Sequence, residues 1–421
     1  MDKFIINGGT ALMGELEVSG AKNASLALLP ATILAPGKST LNNTPELNDV
    51  FTMIKLLKHL GAEIEFHSHI LSIDTNKIEI QTAPYEHVKK MRASVYVLGP
   101  LLSRYGQAKV SLPGGCAWGP RPINLHLEGL QKMGAEIDLV DGYIVAKTKR
   151  LHGANIYFDI SSVGATGNIL MASVLAKGTT VINNAAVEPE ITNLAEFLIK
   201  MGAQIKGSGT KTLTIEGVDE LNPKDMQTIP DRIEAGTLLL ATAITKGKVK
   251  LNNIDSNLLQ AVIIKLESAG CKIKINQNGL ELDATNLDIN PTNVSTSVFP
   301  GFPTDMQAQW TAFMTLANGS SSVRDTIYFD RFKHVPELVR LGANISVNEN
   351  IAIIKGVQRL NGTKVMSTDL RASASLVLGG LAAKGTTEVL RVYHLDRGYQ
   401  RIDEKLKQLG GDIERVAGDE Y

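Results

Sequence analysis

The chain has 421 residues, 43% hydrophobic and 20% charged, with 43 basic side chains balanced by 43 acidic ones. That length favours two or three domains with a sizeable core. Zero formal net charge excludes the broad basic footprint of a nucleic-acid or membrane-surface binder, although a local basic pocket remains possible. Two cysteines, Cys116 and Cys271, cannot form a disulfide framework, and no CxxC or His-rich tract marks a structural metal. The start, MDKFIINGG, lacks a charged-then-apolar leader, and no apolar run reaches the ~18 residues of a membrane span. A cytoplasmic location is expected.

In chain order, residues 3–7 read as a strand, and after them one pattern recurs six times. Each instance is a stretch rich in apolar residues, then Gly-Ala or a close relative, then an alternating strand: LLKHLGAEIEF, LQKMGAEIDLV, LIKMGAQIKG, LESAGCKIKI, LVRLGANISV and LKQLGGDIER. Their glycines, Gly61, Gly134, Gly202, Gly270, Gly342 and Gly410, are 73, 68, 68, 72 and 68 residues apart. Such a period is too long for the common solenoid repeats and suits a small subdomain of several elements. Ahead of each stands a stretch apolar on nearly every face, such as SLALLPATILA, TGNILMASVLA or ASASLVLGGLAA, which predicts helices buried all round. A turn and a short strand follow, then an amphipathic helix such as ITNLAEFLIKMG, whose final Gly stands where a C-cap glycine belongs. One or two strands close the unit. Six units divide into three plus three, with a boundary near 222–230, where prolines and polar residues interrupt the pattern. The repeat phase pairs the first strand with the last unit. The expected domains are therefore 21–229, and 230–421 together with 1–20.

Polar residues cluster just before every buried helix, at 21–23, 91–94, 161–166, 230–234, 303–307 and 368–373. Helix N-termini attract anions, but Ser, Asp and Asn there are also ordinary caps. Capping accounts poorly for Lys22, Arg92, Arg232 and Arg371, because positive charge opposes the helix dipole. An external anion would explain them, and so would an internal acidic partner such as Glu234 or Asp369. Arg331 in FDRFKHVPEL and Arg397 in HLDRGYQRI fall in the connection between strand and second helix. LPGGCAWGPRP, which holds Cys116 and Arg121, occupies the same place in the second unit, too broken by Gly and Pro for a helix or core strand.

SGAKNA, MRAS, the cysteine loop with its following Arg-Pro, SVGAT, IPDRIE, FPTDMQAQ, HVPEL, DLRASASLVL and YHLDRGY together resemble the UDP-N-acetylglucosamine 1-carboxyvinyltransferase (UDP-N-acetylglucosamine enolpyruvyl transferase) family, of the enolpyruvyl transferase superfamily. The resemblance runs from MDKF to IERV. It implies an α/β fold of two inside-out α/β barrel domains built from six repeats, with the active site in the interdomain cleft. The implied reaction transfers the enolpyruvyl group of phosphoenolpyruvate to the 3′-hydroxyl of UDP-N-acetylglucosamine and releases phosphate. It implies no metal or organic cofactor, and no nucleic-acid, membrane or obligate protein partner is expected.

The same resemblance assigns roles. Asp305 is implied as the base at the attacked hydroxyl, and Cys116 as the acid over the methylene carbon, on a loop that Gly114 and Gly115 let fold over substrate. Lys22, Arg121 and Arg397 match residues that hold phosphoenolpyruvate, and Asn23 matches one at the reacting centre. Asp369 and Arg371 match a further pair, and Arg331 is a weaker candidate. Arg92, the run Arg121, Pro122, Ile123, Asn124 and Leu125, then Ser162, Val163 and Ile327 match positions that contact the nucleotide sugar. The chain departs from the pattern at Asn124, where an acidic residue is expected, at Ile160, where some members carry lysine, and at Trp118 and Pro120 in the loop. A shikimate-3-phosphate-using synthase and a nucleotide-sugar sensor without turnover are the competing readings.

Overall fold

The computed structural model describes residues 2–89, 91–112 and 123–418. Each repeat puts one four-stranded sheet against one buried helix. In the third repeat the sheet runs Asn155–Tyr157, Thr179–Asn183, Thr212–Glu216, Gln204–Lys206. The first pair is parallel and the others antiparallel, with Ile156, Ile182 and Leu213 in register and buried. The strands alternate buried and less buried residues, so each sheet has one apolar face to cover.

The covering element is the all-round apolar helix. Every residue of Arg232–Ile244 and of Gln307–Met314 is buried. The buried helix of the second repeat departs from a simple α-helix: its first half, Arg92–Val97, is 3-10, and α-helix begins only at Leu98. Pro100 explains the change, since it has no N–H to return to the preceding turn. Asp305 likewise sits in a 3-10 turn, Thr304–Met306, ahead of the α-helix. The glycines that mark the repeat all adopt positive φ, between 88° and 114°, at or just past the end of the second helix. L-residues with a side chain are strained there, which is why the repeat keeps glycine.

The chain separates into two compact units, Met1–Ser19 with Pro230–Tyr421, and Gly20–Ile229, each with its own hydrophobic core. Each unit is an inside-out α/β barrel of three repeats. Strands exchanged along the sequence close both. Met226–Gln227 runs parallel to Lys38–Asn42 and completes the first repeat's sheet. Met13–Glu17 does the same for Lys248–Asn252 in the fourth. Asp2–Asn7 lies between Thr386–Leu390 and Asp412–Ala417, antiparallel to both, with Phe4 opposite Val389.

Candidate functional site

Three of the residues singled out above meet in the unit 1–19/230–421. Asp305 Oδ1 accepts from Arg331 Nη2 at 2.9 Å, and Asp305 Oδ2 is paired with Arg371 Nη2 at 3.2 Å. The guanidinium side chains are 7% and 6% exposed while the carboxylate is 28% exposed, so the carboxylate is the accessible edge of the cluster. Burial is the largest single influence on Arg371 and would lower its pKa, but the charge and hydrogen bond of Asp305, together with Tyr399 and Asp231, outweigh it and hold Arg371 above its ordinary range.

Two arms anchor this pair of clasps. On one, Arg331 Nη1 donates to Thr304 Oγ1 at 3.0 Å, and Thr304 donates to Asp325 Oδ2 at 2.7 Å. Asp325, fully buried, also accepts through Oδ1 from Thr296 Oγ1 and from the backbone N–H groups of Ile327 and Tyr328. It thereby shapes the turn that carries Ile327. On the other arm, Arg371 Nη1 donates to the hydroxyl of Tyr399 at 3.1 Å, which also meets Gln309 Nε2 and Thr237 Oγ1, each at 3.0 Å.

Asp369 is the N-cap of the helix Leu370–Ala382, its Oδ1 accepting from the backbone N–H of Arg371 and Ala372. Arg397 lies in the connection between the strand Thr386–Leu390 and the helix Ile402–Gln408, where it ends a 3-10 helix, Val392–Arg397. His394 lies near both: burial lowers its pKa first, Asp369 opposes that, and Arg397 adds to it.

In the unit 20–229, Lys22 opens the helix Lys22–Ala31, next to Asn23, with its Nζ 3.7 Å from Asp49 Oδ2. The acidic partners suggested by sequence are therefore replaced by others. Glu234 pairs with Lys405 at 2.7 Å, whereas Asp49 and Asp305 face Lys22 and Arg371. Arg232 lies over the ring of Phe299. Positive charge at the Lys22 and Arg371 helix starts is thus met inside the protein.

Arg92 begins the 3-10 helix Arg92–Val97 and acts electrostatically on His126. Ser162 caps Val163–Ser173 by accepting from Ala165 N, and Tyr96 donates to the Val163 carbonyl. Asn168 fixes the tautomer of His126. Its Oδ1 accepts from Gly99 N, so its Nδ2 donates to the Val95 carbonyl and to His126 Nδ1. The proton of the neutral ring is then on Nε2, and burial pushes the His126 pKa down to about 4. Ile123 precedes the helix Asn124–Lys132, and exposed Asn124 donates to Glu128. Leu125 is half-buried and Ile160 is 74% exposed. Cys116, Arg121 and Pro122, with Gly114, Gly115, Trp118 and Pro120, lie outside the described residues.

Sequence reasoning missed Asp49, Asp325, Gln309 and the role of Tyr399. Asp325 carries a usable signal, an Asp directly after a strand where a side chain can close a turn on the following N–H groups. Tyr399 and Gln309 carry none, because only packing brings them together. Among the described residues no cluster of His, Cys, Asp and Glu could hold a metal ion, and no helix is long and apolar enough to cross a membrane.

Residues 6–406 match the family described as EPSP synthase (3-phosphoshikimate 1-carboxyvinyltransferase). The UDP-N-acetylglucosamine 1-carboxyvinyltransferase of Chloroherpeton thalassium is 58% identical, covering 100% of this chain and 99% of the relative. The protein of that name from Prosthecochloris aestuarii is 56% identical, with 100% of both chains covered. Among solved structures, the enolpyruvyl transferase NikO from Streptomyces tendae superposes with a TM-score of 0.91 over 99% of each chain at 24% identity. EPSP synthase from Acinetobacter baumannii gives 0.76 at 18% identity, over 99% of this chain and 100% of that one. At those identities the two structures establish the shared fold.

Proposed function

The chain belongs to the EPSP synthase family of enolpyruvyl transferases, in the branch of the UDP-N-acetylglucosamine 1-carboxyvinyltransferases, and from that premise we propose how its residues perform the reaction. The enzyme transfers the enolpyruvyl group of phosphoenolpyruvate to the 3′-hydroxyl of UDP-N-acetylglucosamine with release of phosphate, the first committed step of peptidoglycan biosynthesis. The observation that carries the residue assignment is the Asp305 carboxylate, exposed at one edge and clasped by Arg331 and Arg371.

The addition step forms a bond between the sugar oxygen and the central carbon of phosphoenolpyruvate. The hydroxyl proton goes to Asp305, and the methylene carbon takes a proton from Cys116. Elimination returns a proton from that carbon to the Cys116 thiolate and breaks the carbon–oxygen bond to phosphate, which leaves with the electron pair and takes up the proton held by Asp305. Arg331 and Arg371 each engage one Asp305 oxygen, and the hydroxyl reaches the carboxylate from its exposed side. The clasp orients the carboxylate, so the hydroxyl meets a base already in position. Lys22, Arg121 and Arg397 neutralise the phosphate and carboxylate of phosphoenolpyruvate, with Asn23 beside the reacting carbon. Arg92, the run Arg121 to Leu125, Ser162, Val163 and Ile327 hold the nucleotide sugar, and Asp369 keeps Arg371 in place through its helix cap. A cytoplasmic enzyme working without a protein partner fits this reading.

Phosphate release from purified protein given phosphoenolpyruvate and UDP-N-acetylglucosamine tests the proposal. Release should require both substrates and should fail when shikimate-3-phosphate replaces the nucleotide sugar. Fosfomycin should add one equivalent to Cys116, seen by intact mass. No turnover together with no adduct would overturn the assignment.

A further inference from the structure

The buried hydroxyl of Tyr399 has a determined direction. Thr237 Oγ1 lies 2.8 Å from the carbonyl oxygen of Ile233, which can only accept, so the single threonine proton is spent there. Gln309 Nε2, 3.1 Å from Thr237 Oγ1, can only donate to it. The Tyr399 hydroxyl, 3.0 Å away, must therefore donate to Thr237. Its own oxygen then accepts from Arg371 Nη1 and from Gln309 Nε2. Gln309 Nε2 also lies 3.0 Å from the backbone carbonyl of Asp305, so its two protons are shared among three oxygens. Tyr399 is 1% exposed, and Gln309 and Thr237 are 0% exposed. Water does not substitute for these contacts at such depth, and a missing partner leaves a buried donor unsatisfied. Burial raises the Tyr399 pKa, only partly offset by Arg371, so the phenol keeps its proton.

We infer that Tyr399 is a positioning residue of the reaction: it fixes the Arg371 guanidinium against Asp305 Oδ2 while its partner Gln309 fixes the Asp305 backbone. This rests on the reading of Asp305 as base and Arg371 as its clasp. The guanidinium fork is rigid and planar, so holding Nη1 on Tyr399 sets where Nη2 meets the carboxylate. The Arg331 clasp is anchored separately through Thr304 and Asp325, so Arg371 is the member whose orientation depends on Tyr399.

The test is a double-mutant cycle of Tyr399→Phe with Arg371→Lys, read as kcat per fosfomycin-labelled site. Tyr399→Phe should lower kcat by about 10- to 100-fold, the cost of a small misplacement at the reacting group, with KM for UDP-N-acetylglucosamine little changed. In the Arg371→Lys background it should lower kcat no further. A merely structural tyrosine would reduce the labelled fraction but leave kcat per labelled site intact, or would cost the same factor in both backgrounds; either result overturns the inference. If Tyr399→Phe does not fold, Thr237→Val removes the acceptor of the Tyr399 proton without touching Arg371. It should give a smaller loss of the same non-additive kind, and an unchanged kcat would overturn the inference. Full turnover by Arg371→Lys alone would overturn the underlying reading as well. A defect in Arg371→Lys with none in Tyr399→Phe would overturn the positioning role only.

Discussion

Replacing Asp305 by Asn keeps the shape of the group and removes the charge that faces Arg331 and Arg371. Two effects should separate. Turnover should fall by about 10²- to 10⁴-fold, the usual cost of losing a positioned base, measured as phosphate release at saturating substrates. Stability should fall by about 1–3 kcal/mol in denaturant unfolding, because two guanidiniums lose their counter-charge. That is less than for a fully buried pair, since the carboxylate is partly exposed. A kcat within tenfold of the unaltered enzyme would exclude Asp305 as the base. At this scale the sequence reveals charged residues better than neutral ones. Lys22, Arg331 and Arg371 stand out because a cation at a helix start or in a connection calls for a partner. The partner itself is harder to read: Asp49 is 27 residues from Lys22, and Arg371 is 66 from Asp305. Tyr399 lies inside the quoted YHLDRGY, yet its hydrogen-bond partners come from Arg232–Ile244, Gln307–Met314 and Leu370–Ala382, which only the fold brings together.

The repeating element was legible because two physical constraints recur with it, an all-round apolar helix and a glycine that ends its amphipathic companion. Gly410 isolates the second constraint. Its φ is +88° and a Cβ built on it would meet nothing within 4 Å, so Gly410→Ala tests backbone strain without a clash. It should destabilise its unit by about 1 kcal/mol, with Gly410→Asn milder because Asn tolerates the left-handed region. Gly217 is the contrasting case. Its φ is ordinary, but a Cβ there would lie 1.7 Å from the Ala176 carbonyl oxygen, so Gly217→Ala should cost more than Gly410→Ala in the same thermal melt. The opposite order would mean that conformation, not close approach, governs both. The 3-10 starts at Arg92 and Thr304 and the exchange of Met226–Gln227 and Met13–Glu17 between repeats escape a periodic reading. A short strand shows little pattern, and its partner is set by closure of the ring.

Each unit of the molecule buries one histidine that must stay neutral. In the unit 20–229, burial and then Arg92 push His126 down to about 4. In the other, burial and then Arg331 push His334 down to about 3. The unfolded chain protonates both near 6.5. Below that value the unfolded state binds more protons than the folded one, so stability falls as pH falls. The contribution is fully present above about pH 7 and is lost progressively toward pH 4 for His126 and pH 3 for His334, on the order of 3 kcal/mol for the first and 5 kcal/mol for the second. Urea unfolding between pH 8 and pH 4 should therefore show a steep loss below pH 6.5. Trp310, fully buried in the unit with His334, reports that unit by fluorescence once Trp118 is replaced by Phe. His334→Asn should flatten the pH dependence of the Trp310 transition. His126→Asn should flatten it only in circular dichroism, which reads both units. If His126→Asn flattened the Trp310 transition equally, the two units would unfold as one cooperative body, and unfolding in a single step by both probes would have to accompany it. If neither variant changed the slope, the two histidines would not be the groups whose burial sets the acid limit of the fold.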